Sequence, residues 1–359
     1  MIAEIIPKIA GQFAEEEQGY HPRPSMAGPE RCIRQMVYHA LGIERRPFPG
    51  RALLVFDDGR WHEELSLDWL RKSAFQVNSE QMLINISFPG FGLSLIGHID
   101  ALLTDILGND YLLEHKAINH FTFQRYWDGQ LPLDYITQVC LYLRGLQAVN
   151  PELRRAILLI KNKNTAAYLE FLIEYDQSTD LALIIEMTDS SGEKKTLDAK
   201  IENICRDAFT KFQTVEDYCK KRTLPKRQYF IDDWHCDYCG WAAACWENYK
   251  EEFKALSEDV ALSEEIETMA RYYKELGAQK SDIEKEYKAL SEKVREALKA
   301  VGAREGRAGE YILKLSLIEK KRIDPELLTD MEREKATVTS FYERLNVSAP
   351  KRKERKENG

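Results

Sequence analysis

Two short apolar runs joined by a turn constrain this chain more than any other feature. Leu93-Ser-Leu-Ile-Gly and Tyr111-Leu-Leu flank Gly108-Asn-Asp, so residues 92–104 and 110–117 read as consecutive strands. Side chains two apart on a strand share a face, so Glu114 and Lys116 point the same way while Leu113 turns into the core. Gly97-His-Ile-Asp100, on the neighbouring strand, brings Asp100 beside them. Two carboxylates offer hard oxygen donors of the kind that Mg²⁺ and Mn²⁺ accept, together with phosphate oxygens. A lysine beside such a metal orients its activated water or stabilises developing charge. A strand pair with incidental surface charges fits the same short pattern. What adds weight is Gln138-x-x-x-Tyr142, on a helix after Pro132, where a spacing of four puts both side chains on one face.

Asp100, Glu114-x-Lys116 and Gln138-x-x-x-Tyr142 resemble the PD-(D/E)XK nuclease superfamily, in its RecB-like branch. Gly59-Arg-Trp-His62-Glu63 stands where that branch carries a histidine on an early helix, whereas the family's proline before the aspartate is absent. The resemblance covers roughly residues 20–248. It implies an α/β, restriction-endonuclease-like core, a mixed central sheet flanked by helices. It also implies that Asp100, Glu114 and the backbone carbonyl of His115 bind Mg²⁺ or Mn²⁺, with His62 at or near the metal. Lys116 would handle the attacking water, and Gln138 and Tyr142 would position the substrate or the lysine.

Cysteines stand at 32, 140, 205, 219, 236, 239 and 245. In a reducing compartment a close group of thiols points to a metal rather than to disulfides. Cys236-Asp-Tyr-Cys239-Gly-Trp-Ala-Ala-Ala-Cys245 supplies three thiolates, and Cys32 is the natural fourth. On chemistry alone four thiolates suit zinc as well as a 4Fe–4S cluster. One cysteine before the core and three after it resembles the AddB-type helicase–nuclease subunits and the CRISPR-adaptation exonucleases, and that resemblance favours iron–sulfur over zinc. Cys140, Cys205 and Cys219 lie on apolar or helical stretches and read as buried thiols.

The chain has 359 residues, enough for one large domain with extensions, and a formal net charge of −8. Residues 249–359 carry 24 basic and 24 acidic side chains, leaving 27 and 35 in residues 1–248. Any nucleic-acid path on the first part is therefore a confined basic stripe, not a general coat. Its candidates are Arg31 and Arg34 with Arg45 and Arg46, Arg125 among the aromatics Phe121, Phe123, Tyr126 and Trp127, and Lys161 and Lys163 on an exposed hairpin tip. Lys220-Lys-Arg222 and Lys226-Arg227 form a further basic stretch. No apolar run is long enough to span a membrane and the first residues lack signal-peptide character, so a cytoplasmic protein is expected.

Helices are expected at 2–18, 30–41, 51–72, 133–149, 178–188 and 194–221, and further strands at 75–88, 156–160 and 168–173. The core spans 1–248. Beyond it a Glu-, Lys- and Leu-rich arm at 249–302 repeats apolar residues every three or four positions, as in a coiled coil. Gly277 and the Ser281-Asp-Ile-Glu284 capping box place a junction of two helices there. A small subdomain at 303–348 follows, with a strand at 311–317 and a helix from Asp324, then a charged tail at 349–359. The ending, Lys321-Arg-Ile-Asp324 followed by Thr339-Ser-Phe-Tyr-Glu-Arg-Leu-Asn346, is similar to that of phage-type YqaJ exonucleases, relatives of lambda exonuclease. Together the resemblances imply a Mg²⁺- or Mn²⁺-dependent DNA exonuclease of phage-type recombination or end processing. The expected partners are DNA, a single-strand annealing protein or other recombination factor, and further copies of the chain. A CRISPR-adaptation or host repair nuclease, or a catalytically silent DNA-binding iron–sulfur scaffold, are the alternatives.

Overall fold

The computed structural model describes residues 2–12, 19–249, 252, 263–309 and 311–315. The chain divides into two compact units, Met1–Glu247 and Asn248–Gly359. The first contains helices α1 (Ile2–Gln12), α2 (Ile33–Ala40), α3 (Gly50–Arg71), α4 (His120–Trp127), α5 (Leu133–Gln147), α6 (Ile204–Lys221), α7 (Trp234–Asp237) and α8 (Ala242–Trp246). Its strands are β1 (Gln76–Asn78), β2 (Leu83–Ser87), β3 (Ser94–His98), β4 (Ala101–Thr104), β5 (Asp110–Ile118), β6 (Arg155–Asn162), β7 (Tyr168–Asp176), β8 (Leu181–Asp189) and β9 (Lys194–Glu202).

Seven strands form one mixed sheet in the order β1-β4-β5-β6-β7-β8-β9, and β2 and β3 pair separately as a ribbon. Within the sheet β5 and β6 run parallel and the other neighbours antiparallel. A parallel pair requires a crossover, and α4 and α5 provide it. β5 therefore lies inside the sheet, and residues 112–115 are all buried. Its side chains alternate between two apolar layers. Leu112 joins the larger core with α5 and α6, whereas Leu113 packs with Leu67 of α3, Ala101, Leu103 and Ile157 on the other face. Helices thus flank both faces of the sheet.

α5 is buried along nearly its whole length, from Ile136 to Gln147. Gly145 lets it approach the β2–β3 ribbon, since a Cβ there would lie 2.5 Å from Ile84 Cγ2. Where helices are expected at 178–188 and 194–221, the chain instead forms the antiparallel strands β8 and β9, and helix begins only at Ile204 with α6. Alternate residues of β9 are exposed and half-buried, the two-residue period of an edge strand. Gly192 at φ +85° closes the hairpin and Asn203 at φ +57° turns the chain into α6.

Among its described residues the second unit includes a continuous helix, α9 (Glu264–Ala300), capped by the Ser263 side chain, and a hairpin of β10 (Glu305–Ala308) with β11 (Tyr311–Lys314). The expected junction at Gly277 does not occur. An interior glycine costs a helix only about 1 kcal/mol, and 37 residues of α9 absorb it. Ile283, Tyr287 and Leu290 of the expected stripe are exposed, and Leu298 is buried. The helix expected from Asp324 and the charged tail lie outside the described residues. Among those residues no helix is long and apolar enough to cross a membrane.

Candidate metal centre and cysteine cleft

β4 and β5 pair with Ala101 opposite Leu113, so Asp100, one residue earlier, arrives beside Glu114. Its Oδ2 accepts the backbone N–H of His115 at 2.6 Å. Glu114, at 0% exposure, is enclosed on the α5 side. Its Oε1 accepts from Lys116 Nζ and, at 2.8 Å, from Gln138 Nε2. Its Oε2 is buried without a hydrogen-bond partner. A buried carboxylate oxygen left in that state is costly unless a cation or water supplies the missing contact.

The charges there oppose one another. Burial pushes the Glu114 carboxyl up to about 8 and the nearby Asp100 adds to this, while Lys116 pulls it down. Asp100 is also raised by burial, with Lys116 and the His115 N–H opposing. For Lys116, burial favours the neutral amine, but Glu114 and Asp100 outweigh it and hold the lysine charged. Tyr142 is raised by burial and by Glu114, and hydrogen-bonds with Gln138. A Cβ at Gly97 would lie 2.7 Å from its hydroxyl, so only glycine lets β3 pass. Asp100, Glu114, Lys116, Gln138 and Tyr142 are therefore brought together.

His62 takes a different position. Its Nε2 lies 3.6 Å from Asp58 Oδ1, whose second oxygen lies 3.6 Å from Lys163 Nζ. Its carbonyl accepts from Ser66, and Ser66 Oγ is 3.0 Å from His115 Nε2 and 3.0 Å from the Tyr168 hydroxyl. The His115 ring points away from Glu114, as alternation requires, and burial followed by Lys116 and Lys161 pushes it down to about 3. The neighbour that feels Asp100 is Glu63, pushed up to about 7 by burial and then by Asp100, with Lys116 opposing. In the sequence Glu63 stands out only as the residue after His62.

The second feature is a cleft of about 550 Å³ lined by Cys32, Cys236, Cys239 and Cys245. Cys32 directly precedes α2. The three later cysteines sit on a segment anchored by Trp241 Nε1 donating to Ile43 O at 2.9 Å and Arg227 Nη2 to Cys245 O at 2.7 Å. Arg45 stacks 3.6 Å over the Phe48 ring, and a Cβ on Gly240 would strike its Cγ. Burial pushes the Cys32 and Cys239 thiols up and that of Cys236 up to about 11, and the neighbouring thiols, Cys245 included, push the same way. The four are thus within electrostatic reach of one another. Among the described residues, no three or more His, Cys, Asp or Glu side chains are already gathered closely enough to hold a metal ion. Of the thiols expected to be buried, Cys140 and Cys205 are and Cys219 is half-buried.

Arg31, Arg34, Arg125 and Lys163 line the same cleft. Arg31 pairs with Asp134 at 3.2 Å and remains half exposed, and Arg125 reaches Thr122 at 3.2 Å. Arg34 is committed to structure, donating to Pro225 O at 2.7 Å and to the Tyr38 hydroxyl. Lys161, expected at an exposed hairpin tip, is only 3% exposed, because it lies within β6 opposite Ala117 of β5 with the Tyr168 ring nearby. Lys163 is turned in toward Asp58.

No family model and no curated protein matches the chain. Among solved structures, one described as "Crystal structure of SSO0001" superposes with a TM-score of 0.37 at 14% identity, covering 68% of this chain and 96% of that one.

Proposed function

We propose that the chain is a Mg²⁺- or Mn²⁺-dependent DNA nuclease on a restriction-endonuclease-like core, acting as an exonuclease in phage-type recombination or end processing. The observation that carries this reading is Glu114 Oε2, buried without a partner beside a second carboxylate and a charged lysine. That donor set fits a hard divalent cation, which Asp100, Glu114 and the His115 carbonyl would hold. When bound, the cation supplies positive charge and a water of lowered pKa. Lys116, fixed on Glu114, presents an ammonium where charge accumulates on a phosphate. Gln138 fixes the Glu114 carboxylate from α5, and Tyr142 buttresses Gln138.

The four cysteines fit a 4Fe–4S cluster in donor chemistry, with zinc as the alternative metal, and hydrolysis has no redox step for such a cluster to serve. Its role in this reading is structural. Arg31 and Arg125, on the cleft and partly exposed, are the basic groups placed to meet phosphate.

The test is digestion of end-labelled linear DNA, duplex and single-stranded, in Mg²⁺ or Mn²⁺ and in chelator. Wild type should shorten the label only with metal. Asp100→Ala, Glu114→Ala and Lys116→Ala should each lose about a hundredfold or more while remaining folded. Undiminished digestion by the Lys116 variant would remove the assignment, and metal-independent DNA binding without cleavage would leave the scaffold reading.

A further inference from the structure

The cysteine segment carries aromatic side chains that have no part in the metal centre. Tyr229, Trp234 and Tyr238 line the same cleft as Arg31 and Arg125. Three rings there form a column. The His235 imidazole lies nearly parallel to the Tyr229 ring, with centroids 3.9 Å apart and planes 8° from one another. Trp234 covers the opposite face of the imidazole at 3.7 Å, since two rings cannot share one face.

The column is held from beneath. Asp233 Oδ1 lies 2.6 Å from His235 Nδ1 and accepts the His235 backbone N–H at 2.9 Å. The Tyr229 hydroxyl donates to the Glu30 carbonyl, and Gln228 Nε2 donates to the Pro29 carbonyl at 3.3 Å. These contacts tie the rings to the segment before α2. The His235 side chain is only 19% exposed, whereas Trp234, at the open end, is 60% exposed. An indole fixed on one face and open to water on the other loses little freedom when a further flat ring settles on it.

We propose that Trp234 is a stacking platform for an unpaired base of single-stranded DNA lying in the cleft. This deepens the nuclease reading and rests on it. Every nucleobase offers a flat π-face to such a ring, whatever the sequence. Arg31 and Arg125, on the same cleft, supply cationic groups for the neighbouring phosphates. A duplex keeps its base faces inside its own stack, so the platform selects the unpaired strand.

The experiment measures binding of end-labelled DNA to the full-length, anaerobically purified protein by fluorescence anisotropy, in chelator, where no metal supports cleavage. The probes are oligothymidylate, an abasic strand of the same length, and a duplex. Wild type should bind oligothymidylate about tenfold or more tightly than the abasic strand. Trp234→Ala should lose about tenfold on oligothymidylate and stay within about twofold of wild type on the other two probes. Trp234→Phe should keep part of the affinity, because a smaller ring still stacks. Trp69→Ala, which removes an indole of α3 exposed to 63%, should change nothing. Circular dichroism and metal content check the fold of Trp234→Ala. An equal loss on all three probes would make Trp234 a structural support, and the proposal fails. Wild type that binds the abasic strand as tightly as oligothymidylate overturns it without any variant, and metal-dependent digestion by the same preparation would leave the nuclease reading standing. Protein that neither binds nor digests DNA overturns both.

Discussion

Gly145 of α5 faces the β2–β3 ribbon, where an added Cβ would lie 2.5 Å from Ile84 Cγ2 and 2.9 Å from Ile86 Cγ1. Both isoleucines are buried and cannot withdraw, so Gly145→Ala should destabilise by about 1–3 kcal/mol in urea unfolding. Gly59 of α3 has nothing within 4 Å of the same position, and Gly59→Ala should stabilise by roughly 0.5–1 kcal/mol. Equal shifts of the two variants would refute the packing argument. At this scale the sequence was legible where a fixed period decides direction. The two-residue repeat puts Glu114 and Lys116 on one face, and Gln138 reaches Glu114 from the helix face expected. It was not legible where helix rotation decides, because nothing local to His62-Glu63 announces that Ser66 will bind His115. Lys161 shows the same limit: its burial comes from the strands and the Tyr168 ring that surround it, distant contacts that a lysine's usual exposure does not anticipate.

Among the elements, α6 owes its start to a residue outside it. Asp180 Oδ1 accepts the Cys205 N–H at 3.1 Å and Oδ2 accepts the Arg206 N–H at 2.9 Å, capping the helix from the turn before β8. The Tyr175 hydroxyl also donates to Asp180 at 2.8 Å, and Arg144 of α5 donates to that hydroxyl at 3.2 Å. Asp180 is 5% exposed, so its removal strands buried donors. Asp180→Ala should cost on the order of 2–4 kcal/mol in chemical denaturation, and a loss well under 1 kcal/mol would show that the network does not bear on stability. The sheet's first strands and α5 of the crossover were readable from apolar period and turn residues, whereas α4, in the aromatic segment before α5, was not expected as a helix. β8 and β9 were not readable either. Leu181-Ala-Leu-Ile-Ile is a short apolar run that suits either a buried strand or a helix, and only pairing with β7 decides.

For the whole molecule, the segment between Cys32 and Cys236 contains the entire main sheet. A metal cluster joining them would remove ~4–5 kcal/mol of chain entropy from the unfolded state, on the logarithmic estimate used for crosslinks. Anaerobically purified protein is expected to be brown, with iron and sulfide bound, and Cys32→Ala is expected to lose iron and melt lower. Cys219→Ala, on the outer part of α6, should do neither. Full iron content and unchanged melting in Cys32→Ala would overturn the staple, and stoichiometric zinc would overturn the cluster type.

The strand order also has a history in it. β6, β7, β8 and β9 are neighbours in sequence as well as in the sheet, so short turns alone bring them together. β5 meets β6 only after the two-helix crossover has folded back, a slower closure. As the chain folds, the slab of four strands can assemble before the strand that carries Glu114 docks against it. Gln138, within the crossover, arrives with that late step. The enclosure of Glu114 on the α5 side, and its hydrogen bond from Gln138, therefore require the docked crossover and not the strands alone.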